Sequence, residues 1–204
     1  VTYIQRTLDP TLAYRFACRV GMCGSCAMTV NGVPRWTCRT HVDRVAKHDA
    51  FTVAPLRNLP VIRDLVTDMR EFFDKWSRAG GQFTPTRTRG EDFARVRPDS
   101  PARRAVDAAI ECIGCGVCYS ACDVVSWNPD YLGPAALNRA WTLVKDERDG
   151  ARAERLRAVS GEFGCLSCHT HMSCTERCPK QLSPTAGFAG LKREVLKPGL
   201  RGEL

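Results

Sequence analysis

Four closely spaced cysteines constrain this chain more than any other feature. Cys112, Cys115, Cys118 and Cys122 run C-x2-C-x2-C-x3-C, and Cys168, Cys174 and Cys178-Pro179 follow. On a turning loop, cysteines at intervals of three bring their sulfurs to one centre, so three of the four can wrap one iron–sulfur cubane. Gly114 and Gly116 stand between them. They permit positive φ and close approach of backbone N–H groups to sulfide. The fourth cysteine is carried past that centre to a second one. Reciprocal sharing gives one site Cys112, Cys115, Cys118 and Cys178, and the other Cys122, Cys168 and Cys174. Four thiolates suit a [4Fe–4S] cluster, and three suit [3Fe–4S]. The alternative is zinc, for which Cys-x2-Cys pairs are common. Structural zinc sites usually use two pairs separated by a longer loop, so this run favours iron.

A third set lies near the start. Cys18, Cys23, Cys26 and Cys38 are spaced C-x4-C-x2-C-x11-C. The first two intervals are those of plant-type [2Fe–2S] ferredoxins. Four thiolates complete the ligation of two irons. His41 and His48 follow closely. With all four positions taken by cysteine they are assigned to the surface, since histidine is only intermediate in burial.

Composition agrees with ligation. The 204 residues include 12 cysteines. Their spacings are ligand spacings, and thiolate ligation needs a reducing compartment, so a cytosolic protein is expected rather than a disulfide-bonded secreted one. No apolar run approaches a membrane span. The formal charge of +8 invites a nucleic-acid reading. Three clusters with their thiolates, each about −2 on these ligand counts, would reduce it to about +2. The basicity therefore mostly balances the clusters, and no nucleic-acid partner is expected.

Taken in order, residues 1–17 suggest the end of a helix and a loop entering the first site. Ala27–Val30 and Val33–Thr37 flank Asn31-Gly32, the strongest short hairpin signal. Phe51–Ala54 suggests a further strand. Pro55–Pro60 is expected to link to a helix carrying Leu65, Met69, Phe72 or Phe73, and Trp76 at helical spacing. Residues 80–97 suggest a loop. Ser100-Pro101 marks a helix start leading to Cys112. Further helices are expected from Gly133-Pro134 to about Arg148, over Ala151–Val159, and from Ser183-Pro184 to about Leu196.

These words together resemble the iron–sulfur subunit of succinate dehydrogenase and fumarate reductase. The likeness rests on the three cluster motifs in order, with Tyr14-Arg15-Phe16-Ala17-Cys18-Arg19, Cys23-Gly24-Ser25-Cys26, Cys112-Ile113-Gly114-Cys115-Gly116, Trp127-Asn128-Pro129, Leu132-Gly133-Pro134-Ala135-Ala136 and Cys178-Pro179-Lys180. It covers about residues 8–196. It implies an α+β architecture: a β-grasp plant-type ferredoxin domain at 1–58, a connecting helix and loop at 59–99, and an α-helical ferredoxin domain at 100–204. It implies electron transfer between an FAD-containing flavoprotein and quinone through [2Fe–2S], [4Fe–4S] and [3Fe–4S] clusters. The chain alone is not expected to oxidise succinate. One or more membrane-anchor subunits would hold it peripherally at the cytoplasmic face of a bacterial inner membrane. The same resemblance assigns Cys18, Cys23, Cys26 and Cys38 to the first cluster, Cys112, Cys115, Cys118 and Cys178 to the second, and Cys122, Cys168 and Cys174 to the third. It places Trp127 and His169 near the quinone. The alternatives are the iron–sulfur subunit of another quinone-linked dehydrogenase and a zinc-dependent nucleic-acid binder.

The chain departs from the family pattern in several places. The β-grasp strands expected before Val1 are not in the sequence, which suggests a truncated start. Asp123 stands where the family has Pro, and Ser126 where many relatives have an aromatic. His171 occupies the position of a fourth ligand, usually apolar in the family, and Cys165 is additional. Either side chain is a candidate fourth ligand that would make the third cluster [4Fe–4S]. The alternative is an ordinary [3Fe–4S] cluster with both residues beside it.

Overall fold

A computed structural model describes residues 1–199. The N-terminal part is built on a hairpin. Strands β1 (Ala27–Val30) and β2 (Val33–Trp36) pair antiparallel, with Val30 opposite Val33. Asn31 and Gly32 both take positive φ, at 49° and 75°. A two-residue turn of that hand matches the strand twist. The third strand, β3 (Val53–Ala54), is shorter than the sequence suggests and pairs with the other edge of β1, giving the order β2-β1-β3. Asn31 fixes this arrangement: its Oδ1 accepts the Thr52 amide at 2.8 Å, and its amide donates to the Val45 carbonyl at 2.6 Å.

The helix expected from Leu65 begins later. Val61–Arg63 (β4) and Val66–Thr67 (β5) form a small antiparallel hairpin, with Leu65 in its turn. The β-branched residues Val61, Ile62, Val66 and Thr67 favour extended backbone, and Asp64 takes the left-handed turn position, φ 47°. The helix itself, α1 (Arg70–Arg78), carries Phe72 inward and leaves Phe73 half exposed. Near the start, a short π-helical turn spans Ile4–Leu8.

Residues 80–97 contain neither helix nor strand. They are strapped to the second half by Thr84, whose amide donates to the Asp149 carboxylate at 3.0 Å and whose carbonyl accepts the Gly150 amide at 2.9 Å. The remainder is helical. It comprises α2 (Pro101–Val106), α3 (Val117–Ser120), α4 (Asp123–Trp127), α5 (Pro134–Val144), α6 (Arg152–Ser160), α7 (Ser173–Glu176) and α8 (Pro184–Gly199). Ser100 caps α2 by accepting the Arg103 amide at 3.1 Å, as Ser-Pro predicts. Helix α5 ends about four residues before the expected Arg148. There Asp146 turns its carboxylate onto the Arg148 amide and guanidinium, a local bond that competes with helix continuation.

The core lies between α5, α6 and α8, with α1 and α3 packed on it. Phe72, Tyr119, Leu137, Trp141, Leu156, Val159, Phe188 and Leu191 are buried. Gly190 lets α8 approach α5, since a Cβ there would meet the Trp141 ring at 2.4 Å. Among the described residues, no helix is long and apolar enough to cross a membrane.

Candidate metal centres

The first thiol set sits on the loop before β1 and just past β2. The hairpin returns the chain so that Cys38 meets Cys26: the Cys38 amide donates to Cys26 Sγ at 3.5 Å. Cys18 Sγ accepts the amides of Met22 and Cys23 at 3.2 and 3.3 Å, and Cys23 Sγ accepts that of Ser25 at 3.5 Å. Hydrogen bonds to sulfur favour thiolate. The Ser25 hydroxyl, with backbone amides, brings the Cys23 thiol down to about 6. Backbone amides, led by that of Val20, also lower Cys18. Burial instead raises Cys38, assisted by the nearby Cys26.

The second set lines one cavity. Cys112, Cys115, Cys118 and Cys178 all face it, together with Asn138, Pro134 and Leu182. Here burial dominates: it raises Cys112, pushes Cys115 up to about 12, and raises Cys118 well above its ordinary value. Thiols raised in this way, as Cys112, Cys115 and Cys118 are, ionise together only beside a compensating cation, and bound iron would supply one.

The third set lines a separate cavity. Cys122, Cys168 and Cys174 face it with Tyr131, His169, Thr170, His171, Thr185 and Phe188. Thr170 and Met172 take left-handed φ, 61° and 64°, as the loop bends around the cavity. Burial pushes Cys122 up to about 11 and also raises Cys174. Burial, and then the charges of Cys168, Cys122 and Cys174, hold the Tyr131 phenol well above its usual range. Tyr131 lines the same cavity as the three cysteines.

The donor sets fit clusters. The second and third thiol sets each line a cavity. Sulfurs placed around a gap suit a centre several atoms wide.

The three sets are also neighbours. Gly24, between Cys23 and Ser25, has φ 73°, and a Cβ there would stand 2.8 Å from Cys115 Cβ. Only glycine permits both the conformation and the approach. Cys23, Gly24, Gly114 and Cys115 border one common space. Helix α3 then connects the second and third sets, with Cys118 within it and Cys122 just beyond. Pro134 lines both cavities.

The remaining candidates separate. Trp127 is 67% exposed at the end of α4, and its ring meets His171 edge-on at 5.5 Å. His169 lies 6.1 Å from His171, ring to ring. Cys165 does not line the third cavity; it is buried in the helical core. Burial pushes its thiol up to about 11.

Several supporting residues have no signal in the sequence. Asn58 Nδ2 donates to the carbonyls of Tyr119 and Cys122, both at 3.1 Å, and to that of Ser120 at 3.4 Å. The Arg57 amide donates to Ser120 Oγ at 2.8 Å. Thr185 Oγ1 lies 3.6 Å from Cys174 Sγ, and Lys192 Nζ donates to the Cys168 carbonyl at 2.8 Å. Most of these partners are far apart in sequence, so no local pattern announces them.

Comparison with known proteins agrees with this arrangement. Residues 1–74 match the family described as a 2Fe-2S iron-sulfur cluster binding domain, and residues 111–183 match the 4Fe-4S dicluster domain. The chain is 38% identical over 195 residues to the succinate dehydrogenase iron-sulfur subunit of Paracoccus denitrificans, covering 95% of this chain and 73% of that one. It is 35% identical over 196 residues to the fumarate reductase iron-sulfur subunit of Escherichia coli, covering 96% and 79%. A chain of the Mycobacterium smegmatis Sdh1 complex in the apo form superposes with a TM-score of 0.83 at 31% identity, covering 95% of this chain and 81% of its own length. With its thiol sets in the same order as the two matched domains, the chain belongs to the family of succinate dehydrogenase and fumarate reductase iron–sulfur subunits.

Proposed function

We propose that this chain passes electrons singly between a flavoprotein that interconverts succinate and fumarate and a quinone, within a succinate:quinone oxidoreductase. The observation that carries the reading is the contiguity of the three thiol sets, joined at Gly24–Cys115 and through α3. A relay needs its centres close together and held rigidly. Cys18, Cys23, Cys26 and Cys38 hold the [2Fe–2S] cluster. Cys112, Cys115, Cys118 and Cys178 hold [4Fe–4S], and Cys122, Cys168 and Cys174 hold [3Fe–4S]. The clusters supply one-electron storage; the chain's own residues fix their spacing, exclude water and set the surrounding charge.

Of the two extra candidates, Cys165 lies in the core away from the third cavity, while His171 borders that cavity with its ring edge-on to Trp127, and we assign it to the rim of a three-thiolate site. Trp127, His169 and His171 form an aromatic rim beside the third cavity. Trp127 combines an exposed apolar face with one donor, and with His169 it forms the quinone contact. We assign the three-stranded sheet to a β-grasp ferredoxin domain at 1–58, the segment 59–99 to a connector, and 100–204 to a helical ferredoxin domain. The partners are an FAD-containing subunit and membrane-anchor subunits. These hold the chain at the inner face of a bacterial cytoplasmic membrane.

Cys112→Ala tests the relay in the assembled complex. It removes one ligand of the middle site, so succinate still reduces the flavin while quinone reduction is lost. Unchanged quinone reduction would contradict the assignment.

A further inference from the structure

Helix α5 brings one uncharged polar side chain to the second thiol set. Pro134, Ala135 and Asn138 share a face of the helix, Pro134 and Asn138 one turn apart. All three line the cavity of Cys112, Cys115, Cys118 and Cys178. Asn138 does not line the third cavity. Beyond the thiols, the wall is backbone and apolar side chains such as Ile113 and Leu182, except for Lys180, which is paired with Glu111 at 3.8 Å.

Asn138 is only 2% exposed. Its Nδ2 donates to the Ala109 carbonyl at 3.0 Å. A carbonyl only accepts, so this bond fixes which end of the amide is nitrogen. Nδ2 carries two hydrogens, and among the described residues the second has no acceptor. Oδ1 is also buried without a partner among them. Leucine, of similar volume, would fill this place without burying unpaired polar atoms. Stability therefore does not account for the asparagine. A buried polar group that the fold leaves unpaired points to a role such as redox chemistry or ligand contact.

A cluster supplies what the free hydrogen needs, because its sulfide and thiolate sulfurs accept and it has nothing to donate. We propose that Asn138 is a hydrogen-bond donor to the second cluster. One amide hydrogen holds the Ala109–Glu111 turn that leads into Cys112, and the other bonds a cluster sulfur. The reduced cluster carries one more negative charge than the oxidised one. The N–H···S bond is therefore stronger in the reduced state and raises the reduction potential. Electrons crossing between the outer sites pass the second, so this potential sets the middle step of the relay. The inference rests on the proposed assignment of Cys112, Cys115, Cys118 and Cys178 to [4Fe–4S].

The test is an EPR-monitored redox titration of the complete complex carrying Asn138→Leu. The variant should keep the [4Fe–4S] signal and lower the second-cluster midpoint. The expected shift changes the one-electron equilibrium about tenfold, about 59 mV, with the first and third midpoints unmoved. A merely structural asparagine would leave the midpoint in place and show only a lower Tm; that result, with the signal intact, would overturn the inference. If Asn138→Leu does not assemble, the unaltered complex decides. It is grown with asparagine carrying nitrogen-15 in the side-chain amide, and pulsed EPR of the reduced second cluster is recorded. Asn31, Asn58 and Asn128, the other asparagines of the chain, do not line that cavity. A nitrogen-15 coupling supports the inference, and its absence overturns it. An unaltered complex with no [4Fe–4S] signal from the second site would overturn the ligand assignment, and the inference with it.

Discussion

Gly24 shows at the scale of one residue how the backbone sets the relay. Its positive φ and its contact with Cys115 leave no room for a side chain. Gly24→Val therefore has to displace one thiol loop from the other, and the left-handed backbone alone costs about 1–3 kcal/mol. The expected outcome is a lower Tm and slower re-oxidation of the first cluster, with both cluster signals still present. Re-oxidation at the normal rate in stopped-flow measurements would show that this contact is not on the electron path. At the other end of the relay, Trp127→Ala should impair quinone reduction and spare flavin reduction by succinate. Equal loss of both would mean that Trp127 is structural. The cysteine sets could be seen in the sequence because cluster ligation is local: each loop carries its ligands at fixed intervals. Asn58 and Lys75 could not. Asn58 serves carbonyls of Tyr119, Ser120 and Cys122, and Lys75 meets the Tyr119 hydroxyl, at separations no periodicity reports.

At the scale of elements, the connection between α5 and α6 holds the long loop 80–97 in place. Asp149 and Arg155 form an ion pair whose side chains are 0% and 3% exposed, and Arg155 also reaches the Gln82 carbonyl. Burial alone would raise the Asp149 carboxyl. The Arg155 hydrogen bond and the amides of Thr84 and Ala151 outweigh it and hold the group below its ordinary value. A carboxyl lowered by folding stabilises the protein above its unfolded pKa of about 3.9, and that contribution is lost as pH falls through the folded value. Arg155→Met should cost about 3–5 kcal/mol, since it leaves a buried carboxylate unpaired. Asp149→Asn should lower Tm at neutral pH and make Tm less sensitive to acid. An acid dependence of Tm equal to that of the unaltered protein would contradict this role. Elements with strong local signals, such as the Asn31-Gly32 hairpin and the Ser100 cap, were legible in the sequence. The start of helix α1 was not: the apolar spacing from Leu65 to Trp76 is helical, yet its first part forms the β4–β5 turn. There the Arg15 guanidinium bonds the Thr67 carbonyl at 2.9 Å and the Ala13 amide bonds the Asp64 carboxylate at 2.7 Å. Long-range contacts thus override the periodicity.

At the scale of the whole molecule, two ferredoxin-like parts are joined so that their thiol loops meet. Arg57 and Asn58, at the end of the first part, and Lys75, in the connecting segment, reach into α3, the helix that links the second and third sites. The formal charge of +8 belongs to the chain without its clusters. Cluster removal should therefore destabilise the protein twice, by unmasking this charge and by leaving buried thiols without a cation. The central claim is that three clusters of different type are held in line by these thiol sets. Low-temperature EPR of the anaerobically purified complex, first oxidised and then reduced, tests it most directly. The account predicts a [3Fe–4S] signal in the oxidised sample and a [2Fe–2S] signal that appears on reduction. An oxidised sample without the [3Fe–4S] signal, giving two [4Fe–4S] centres on reduction, would contradict the three-thiolate third site and return His171 to the ligands.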